Sequence, residues 1–199
     1  MWRAFAVYNP ADTVAKVHVN LRQLDMEGVT RMRDCFSHED AAVVGDAFTV
    51  TLPPHATRIY IAKAQRRLER TYYEAECGFI SDYREVVNPR SAGTAYYDEA
   101  DDCHGGACVR GLGGRPENDL LWREVYSRKG DSYTLNIATC SDEPRTCYVE
   151  LNGEILGSFT SSKGRQQLNI FLKKGNNTLR LFNNTAPMPD IDGVEIKEF

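Results

Sequence analysis

No stretch of useful length in this chain repeats its apolar residues with the 3.6-residue period of a helix. Short β-branched and aromatic runs are instead cut at close intervals by turn chemistry. Residues 2–8, 13–21, 29–35, 47–52 and 57–62 read as five strands, separated by clusters such as Asn9-Pro10-Ala11-Asp12 and Pro53-Pro54-His55. A second series follows at 72–76, 107–112, 119–126, 132–139, 146–152, 154–159, 165–172, 177–182 and 193–198. Lys129-Gly130-Asp131, Asn152-Gly153 and Lys174-Gly175-Asn176 supply hairpin signals between them. Strands spaced about 8 to 12 residues apart predict an all-β fold of sandwich or jelly-roll type. The one sustained polar, charge-rich stretch, 63–71, marks a boundary. The expected organisation is a small antiparallel β-sandwich domain over 1–64, a linker over 65–71 and a β-sandwich jelly roll over 72–199. Residues 80–106, rich in Tyr, Asp, Gly and Ser, read as a long irregular loop of the kind that usually carries function.

A net charge of −4 over 199 residues leaves no basic stripe to neutralise phosphates, which argues against nucleic acid as a partner. No apolar run approaches the ~18 residues needed for membrane insertion. The first eight residues lack a signal peptide's apolar core and read as a strand, so the chain is expected to begin inside a longer protein.

Two carboxylate pairs bracket the second region: Glu74 and Glu76 at its start, Asp190 and Asp192 near its end. On a strand, i and i+2 side chains share a face, and like charges on one face require a cation or a basic neighbour. If the terminal strands pair, oxygen ligands converge and a hard cation such as Ca2+ fits them. The six cysteines leave several readings open. Cys140 and Cys147 flank a turn-rich segment and could staple a hairpin, and Cys103 and Cys108 are also close. Disulfides, free thiols and a zinc site using Cys103, His104 and Cys108 are the alternatives, and an oxidising compartment is mildly favoured.

Six short motifs in register across 72–199 resemble carbohydrate-binding modules with the galactose-binding-like jelly-roll fold, families 6 and 35 in particular. They are Tyr73-Glu74-Ala75-Glu76, Gly105-Gly106-Ala107-Cys108-Val109 with Gly111-Leu112-Gly113, and Lys129-Gly130-Asp131-Ser132-Tyr133. The others are Val149-Glu150-Leu151-Asn152-Gly153, Lys174-Gly175-Asn176-Asn177, and Pro189-Asp190-Ile191-Asp192-Gly193-Val194. The resemblance implies a structural calcium at Glu74, Glu76 and Asp192. It also implies a sugar cleft formed by loops at one edge of the sandwich, with an asparagine before the last strand. Asn183 and Asn184 occupy that position, and Tyr96, Tyr97 and Asp98 lie on the loop expected to face them. An aromatic platform with amide or carboxylate partners suits a pyranose. The ordinary alternatives are turn stabilisation for the asparagines and loop packing for the tyrosines.

Trp2 to Asn9, Arg33-Asp34-Cys35-Phe36-Ser37-His38-Glu39-Asp40 and Val50-Thr51-Leu52-Pro53-Pro54-His55-Ala56 resemble the β-domain after the catalytic barrel in glycoside hydrolase family 27, the α-galactosidase group. The middle motif departs at Cys35-Phe36, where Leu-Trp is usual. That resemblance implies a non-catalytic domain whose partner is an absent barrel, which alone needs about 250 residues. The acidic stretch Asp98, Glu99, Asp101, Asp102 reads as a solvated loop rather than a hydrolytic pair, and no nucleophile or phosphate-loop motif is present. The expectation is a non-catalytic, calcium-stabilised, carbohydrate-binding part of a secreted, periplasmic or cell-surface hydrolase. The alternative is a structural jelly roll packed on the barrel without sugar binding.

Overall fold

The computed structural model describes residues 1–80 and 93–198, and the chain divides into two units, Met1–Glu69 and Arg70–Phe199. Part of the expected 80–106 loop, residues 81–92, lies outside the described residues. Both units are antiparallel β-structures, and none of the described residues forms an α-helix. No helix among them is long and apolar enough to cross a membrane.

The first unit contains β1 (Trp2–Tyr8), β2 (Ala15–Asn20), β3 (Met26–Asp34), β4 (Ala47–Leu52) and β5 (Thr57–Arg67). β5 lies between β1 and β3, while β2 pairs with β4 in a second layer. Alternation sends Val7, Met32, Tyr60 and Ala62 from one layer, and Phe48 and Leu52 from the other, into a shared core. The rings of Phe5, Phe48 and Tyr60 meet there at centroid distances of 5.0 to 6.0 Å. The first three residues of the expected linker, 65–67, are strand. β5 continues to Arg67 because Ala62 and Ala64 still point inward, while Lys63 and Arg66 face solvent and Arg66 pairs with Glu27 across the ladder.

The second unit contains β6 (Tyr72–Glu74), β7 (Phe79–Ile80), β8 (Tyr96–Glu99), β9 (Ala107–Arg110), β10 (Leu120–Ser127), β11 (Asp131–Leu151), β12 (Glu154–Leu172), β13 (Gly175–Phe182) and β14 (Ile191–Glu198). β11 and β12 form one long hairpin, where four separate strands were expected. Asn152 and Gly153, with φ of 54° and 86°, close it in the primed geometry that matches strand twist. On its other edge β11 pairs first with β14, from Tyr133 to Thr139, and then with β13, from Tyr148 to Leu151. Its register against β12 breaks between Cys140 and Arg145. That break is the corner at which one strand passes between the two sheets of the sandwich. Leu135 and Ile137 before the corner, and Val149 and Leu151 after it, bury against Leu179, Leu181 and Val194. Each such side chain contributes ~1.5–3 kcal/mol of burial. Trp122 belongs to this core, and its indole N–H donates to the Glu74 carbonyl at 3.0 Å. β8 and Ile80, the last residue of β7, are strand within the stretch expected to be irregular, and β8 is held by its pairing with β9.

Candidate cation site and carbohydrate cleft

β6 pairs with β14, so the first and last strands of the second unit lie side by side, with Glu74 opposite Gly193. A Cβ on Gly193 would meet the Tyr72 hydroxyl at 2.5 Å and the Tyr73 carbonyl at 2.8 Å, so glycine is what permits this approach. The contact brings Glu74 and Asp192 to one edge. There His104 Nδ1 lies 2.6 Å from Glu74 Oε1, and the His104 backbone N–H donates to Asp192 Oδ1 at 2.9 Å. The Tyr72 ring packs on the imidazole with centroids 4.3 Å apart. Glu74 Oε2 and Glu76 Oε2 are buried and have no hydrogen-bond partner among the described residues.

Burial raises the Glu76 carboxyl above its ordinary range, and the charges of Glu74 and Asp192 push it the same way. Burial also raises Asp192, against the opposing pull of the His104 N–H. The Tyr72 hydroxyl is pushed up by burial and by the same two acids, Asp192 and Glu74. The buried, donor-free Glu74 Oε2 and Glu76 Oε2 match the chemistry of a hard, oxygen-liganded cation, and Asp192 beside them adds a third carboxylate. The donor set suits the expected calcium in kind, although these oxygens are not drawn within 4.8 Å of one another. Asp190 does not share their face, because β14 starts only at Ile191. Its buried carboxylate instead stands 3.7 Å from Arg110 and 3.6 Å from Arg145.

The expected sugar-contacting residues are placed unevenly. Tyr96, Tyr97 and Asp98 all lie on β8, where Tyr97 is exposed and Asp98 pairs with Arg110 at 3.0 Å. Asn183 is buried and committed to its own turn. Its Oδ1 accepts from the Thr185 and Ala186 N–H groups at 3.1 Å each, and its Nδ2 donates to the Thr146 carbonyl at 2.9 Å. Asn184, beside it, is exposed.

An open cleft of about 490 Å³ borders that turn, lined by Glu143, Arg145, Thr146, Tyr148, Asn183 and Pro187 among others. Tyr148 is 39% exposed and stacks on Phe182 with centroids 5.5 Å apart. Sequence reading passed over this wall because residues 141–146 look like a turn between two cysteines. The available signal was the alternation of Thr146 and Tyr148, which puts a hydroxyl and an aromatic ring on one face of a strand.

All six cysteines are free thiols. The Cys140–Cys147 staple does not form, because the segment between them is the corner of β11 rather than a hairpin. Cys147 points into the core, where burial pushes its thiol up to about 12. The Cys103, His104, Cys108 trio does not form either, since His104 turns to the carboxylates. Cys140 takes its place, with the three sulfur atoms within 4.8 Å of one another.

These two units can be set beside known proteins. Residues 2–62 match the family described as alpha galactosidase C-terminal beta sandwich domain. The second unit has the fold of family 35 carbohydrate-binding modules. One such module from Clostridium thermocellum superposes with a TM-score of 0.54 at 22% identity, covering 64% of this chain and 98% of that one. A CBM35 from Paenibacillus barcinonensis gives 0.52 at 17% identity, covering 65% and 100% respectively. An isomalto-dextranase from Arthrobacter globiformis T6, complexed with panose, gives 0.55 at 18% identity and covers 97% of this chain but 34% of its own. The chain thus spans about a third of that enzyme's length. No curated protein matches the chain.

Proposed function

We propose that the second unit binds carbohydrate in the cleft beside Tyr148 and that Glu74, Glu76 and Asp192 hold a structural Ca2+. Together with the first unit it would serve as the non-catalytic, accessory part of a secreted, α-galactosidase-like glycoside hydrolase. The observation that carries this reading is the cleft itself. An exposed ring offers an apolar face, and a guanidinium, a carboxylate and a hydroxyl stand beside it, on a fold shared with carbohydrate-binding modules. The cation would tie the first strand to the last and leave the sugar chemistry to the loops. Tethered to a hydrolase, such a module raises the enzyme's concentration on an insoluble or polymeric glycan without a new catalytic group.

The test is titration of the chain, with calcium present, against a panel of polysaccharides that includes galactose-containing ones. Tyr148→Ala is expected to weaken binding at least ~10-fold, equivalent to ~1.4 kcal/mol, with Ser158→Ala as an exposed control on the facing strand. If no glycan binds the wild-type chain, the sugar-binding reading is overturned and the purely structural jelly roll stands.

A further inference from the structure

Three cysteines, two of them close in sequence and the third from another strand, meet in the second unit outside the cleft and beside the carboxylate edge. Cys103 precedes the short 3-10 turn His104–Gly106, Cys108 lies on β9, and Cys140 stands at the corner of β11. Their sulfur atoms lie within 4.8 Å of one another. Theirs is the one His, Cys, Asp or Glu trio among the described residues with ligand atoms drawn so close. Cys108 is fully buried, Cys103 is 9% exposed, and the half-buried Cys140 packs against them together with Ala100.

Each cysteine is fixed by its backbone. The Cys103 N–H donates to the Ala100 carbonyl at 2.9 Å, Cys108 pairs with Asp98 across β8 and β9, and the Cys140 N–H donates to the Asp190 carbonyl at 3.0 Å. Three thiolates around an ion at ~2.3 Å stand roughly 3.8 to 4.0 Å apart, inside the 4.8 Å within which these sulfurs lie. A disulfide at ~2.05 Å would join two of the sulfurs and leave the third buried and unused. Cys140 and the positive charge of the Arg110 guanidinium, itself paired with Asp98 at 3.0 Å, hold the Cys108 thiol below its ordinary range, which favours the thiolate a metal needs.

We propose that Cys103, Cys108 and Cys140 form a trithiolate site for a thiophilic d10 cation, Zn2+ or Cu+, which adjoins the carboxylate edge but shares no ligand with it. Binding replaces the three S–H protons, which pass to solvent, with three metal–sulfur bonds and involves no change of oxidation state. No fourth His, Cys, Asp or Glu joins the trio among the described residues. Zinc would therefore complete its shell with water, whereas Cu+ is satisfied by three sulfurs. Calcium, which selects oxygen ligands, does not compete for this site.

The experiment titrates the full chain, reduced and under nitrogen with calcium in excess, using Cd2+ as the spectroscopic probe and then Zn2+ and Cu+ in separate arms. One ion per chain by native mass spectrometry is expected, with sulfur-to-cadmium charge-transfer absorption. The metal should block alkylation of half-buried Cys140 while exposed Cys77 stays reactive, and the buried Cys103, Cys108 and Cys147 are protected with or without it. Cys140→Ser should weaken binding by more than ~100-fold, beyond the loss of an outer partner, and Cys77→Ser should leave it unchanged. Should Cys140→Ser fail to fold, the alkylation pattern of the wild-type chain decides. A Cys140 as reactive in the loaded wild type as in the metal-free chain, unaltered affinity in a folded Cys140→Ser chain, or a disulfide within the trio that persists with reductant and metal present would each overturn the site. None of these outcomes depends on whether a glycan binds.

Discussion

Replacing Glu76 with glutamine should act in opposite directions with and without calcium. In the metal-free chain the Glu76 carboxylate is desolvated, lies near the charges of Glu74 and Asp192, and has one buried oxygen without a donor. Glu76→Gln keeps the shape and removes the charge, and with it the desolvation of the ion and the repulsion from the two neighbouring acids, both partly screened by solvent, so it should stabilise the EDTA-treated protein by up to ~1 kcal/mol. For a unit of this size that is roughly 4 °C in Tm. With calcium at 100 times its dissociation constant the wild type gains about 2.7 kcal/mol, and the variant, lacking one ligand charge, should lose most of that gain.

The pH dependence has a defined sign. A carboxyl whose folded pKa is raised contributes stability that is complete below its unfolded pKa and is lost as pH rises through the folded value. The deficit of metal-free wild type relative to Glu76→Gln should therefore open as pH increases from the ordinary glutamate value of 4.5 towards neutrality. Differential scanning calorimetry of both proteins, in EDTA and in calcium and across that range, measures all three quantities. Equal destabilisation of Glu76→Gln in EDTA and in calcium would refute the cation argument and reduce Glu76 to a packing residue.

Two further outcomes follow from packing and charge. Arg180 pairs with Asp119, whose side chain is only 7% exposed, and with Glu150 at 3.3 Å. Arg180→Ala strands the Asp119 charge and should cost ~3 kcal/mol in urea unfolding, part of which Asp119→Ala in the same chain restores. Gly113 has a φ of +87°, and a Cβ there would stand 2.5 Å from the Ala186 carbonyl oxygen and 2.7 Å from the Met188 nitrogen. Gly113→Ala should therefore lower stability by more than ~2 kcal/mol and, by displacing the Ala186-Pro187 wall, weaken any ligand of the cleft; thermal melts and the glycan titration read these separately.

The strand pattern was legible because each ladder alternates inward and outward residues, and turn chemistry at Asn152-Gly153 and Lys174-Gly175 marks the reversals. The continuity of β11 was not legible. Ser141 to Pro144 carries turn residues, and only pairing with β12 on both sides of the break keeps the strand intact through its corner. The end of the first unit was misread for a related reason. The basic residues of 63–67 look like a linker until Ala62 and Ala64 are seen to be buried beneath them. Among the candidate site residues, Glu74 and Asp192 could be linked from spacing and family resemblance. That Asn183 is tied into its own turn was one of the readings its sequence allowed, but its bond to the Thr146 carbonyl 37 residues away was not legible locally.

By itself the sequence determined the all-β class and the positions of most strands and turns. These follow from period and turn chemistry, which are local. Only the tertiary structure decided that His104 turns to Glu74 and Asp192, that Tyr148 borders the cleft, and that Cys140 completes a trio with Cys103 and Cys108. Each of those contacts joins segments more than 25 residues apart, and the corner in β11 and the pairing of β6 with β14 bring them together.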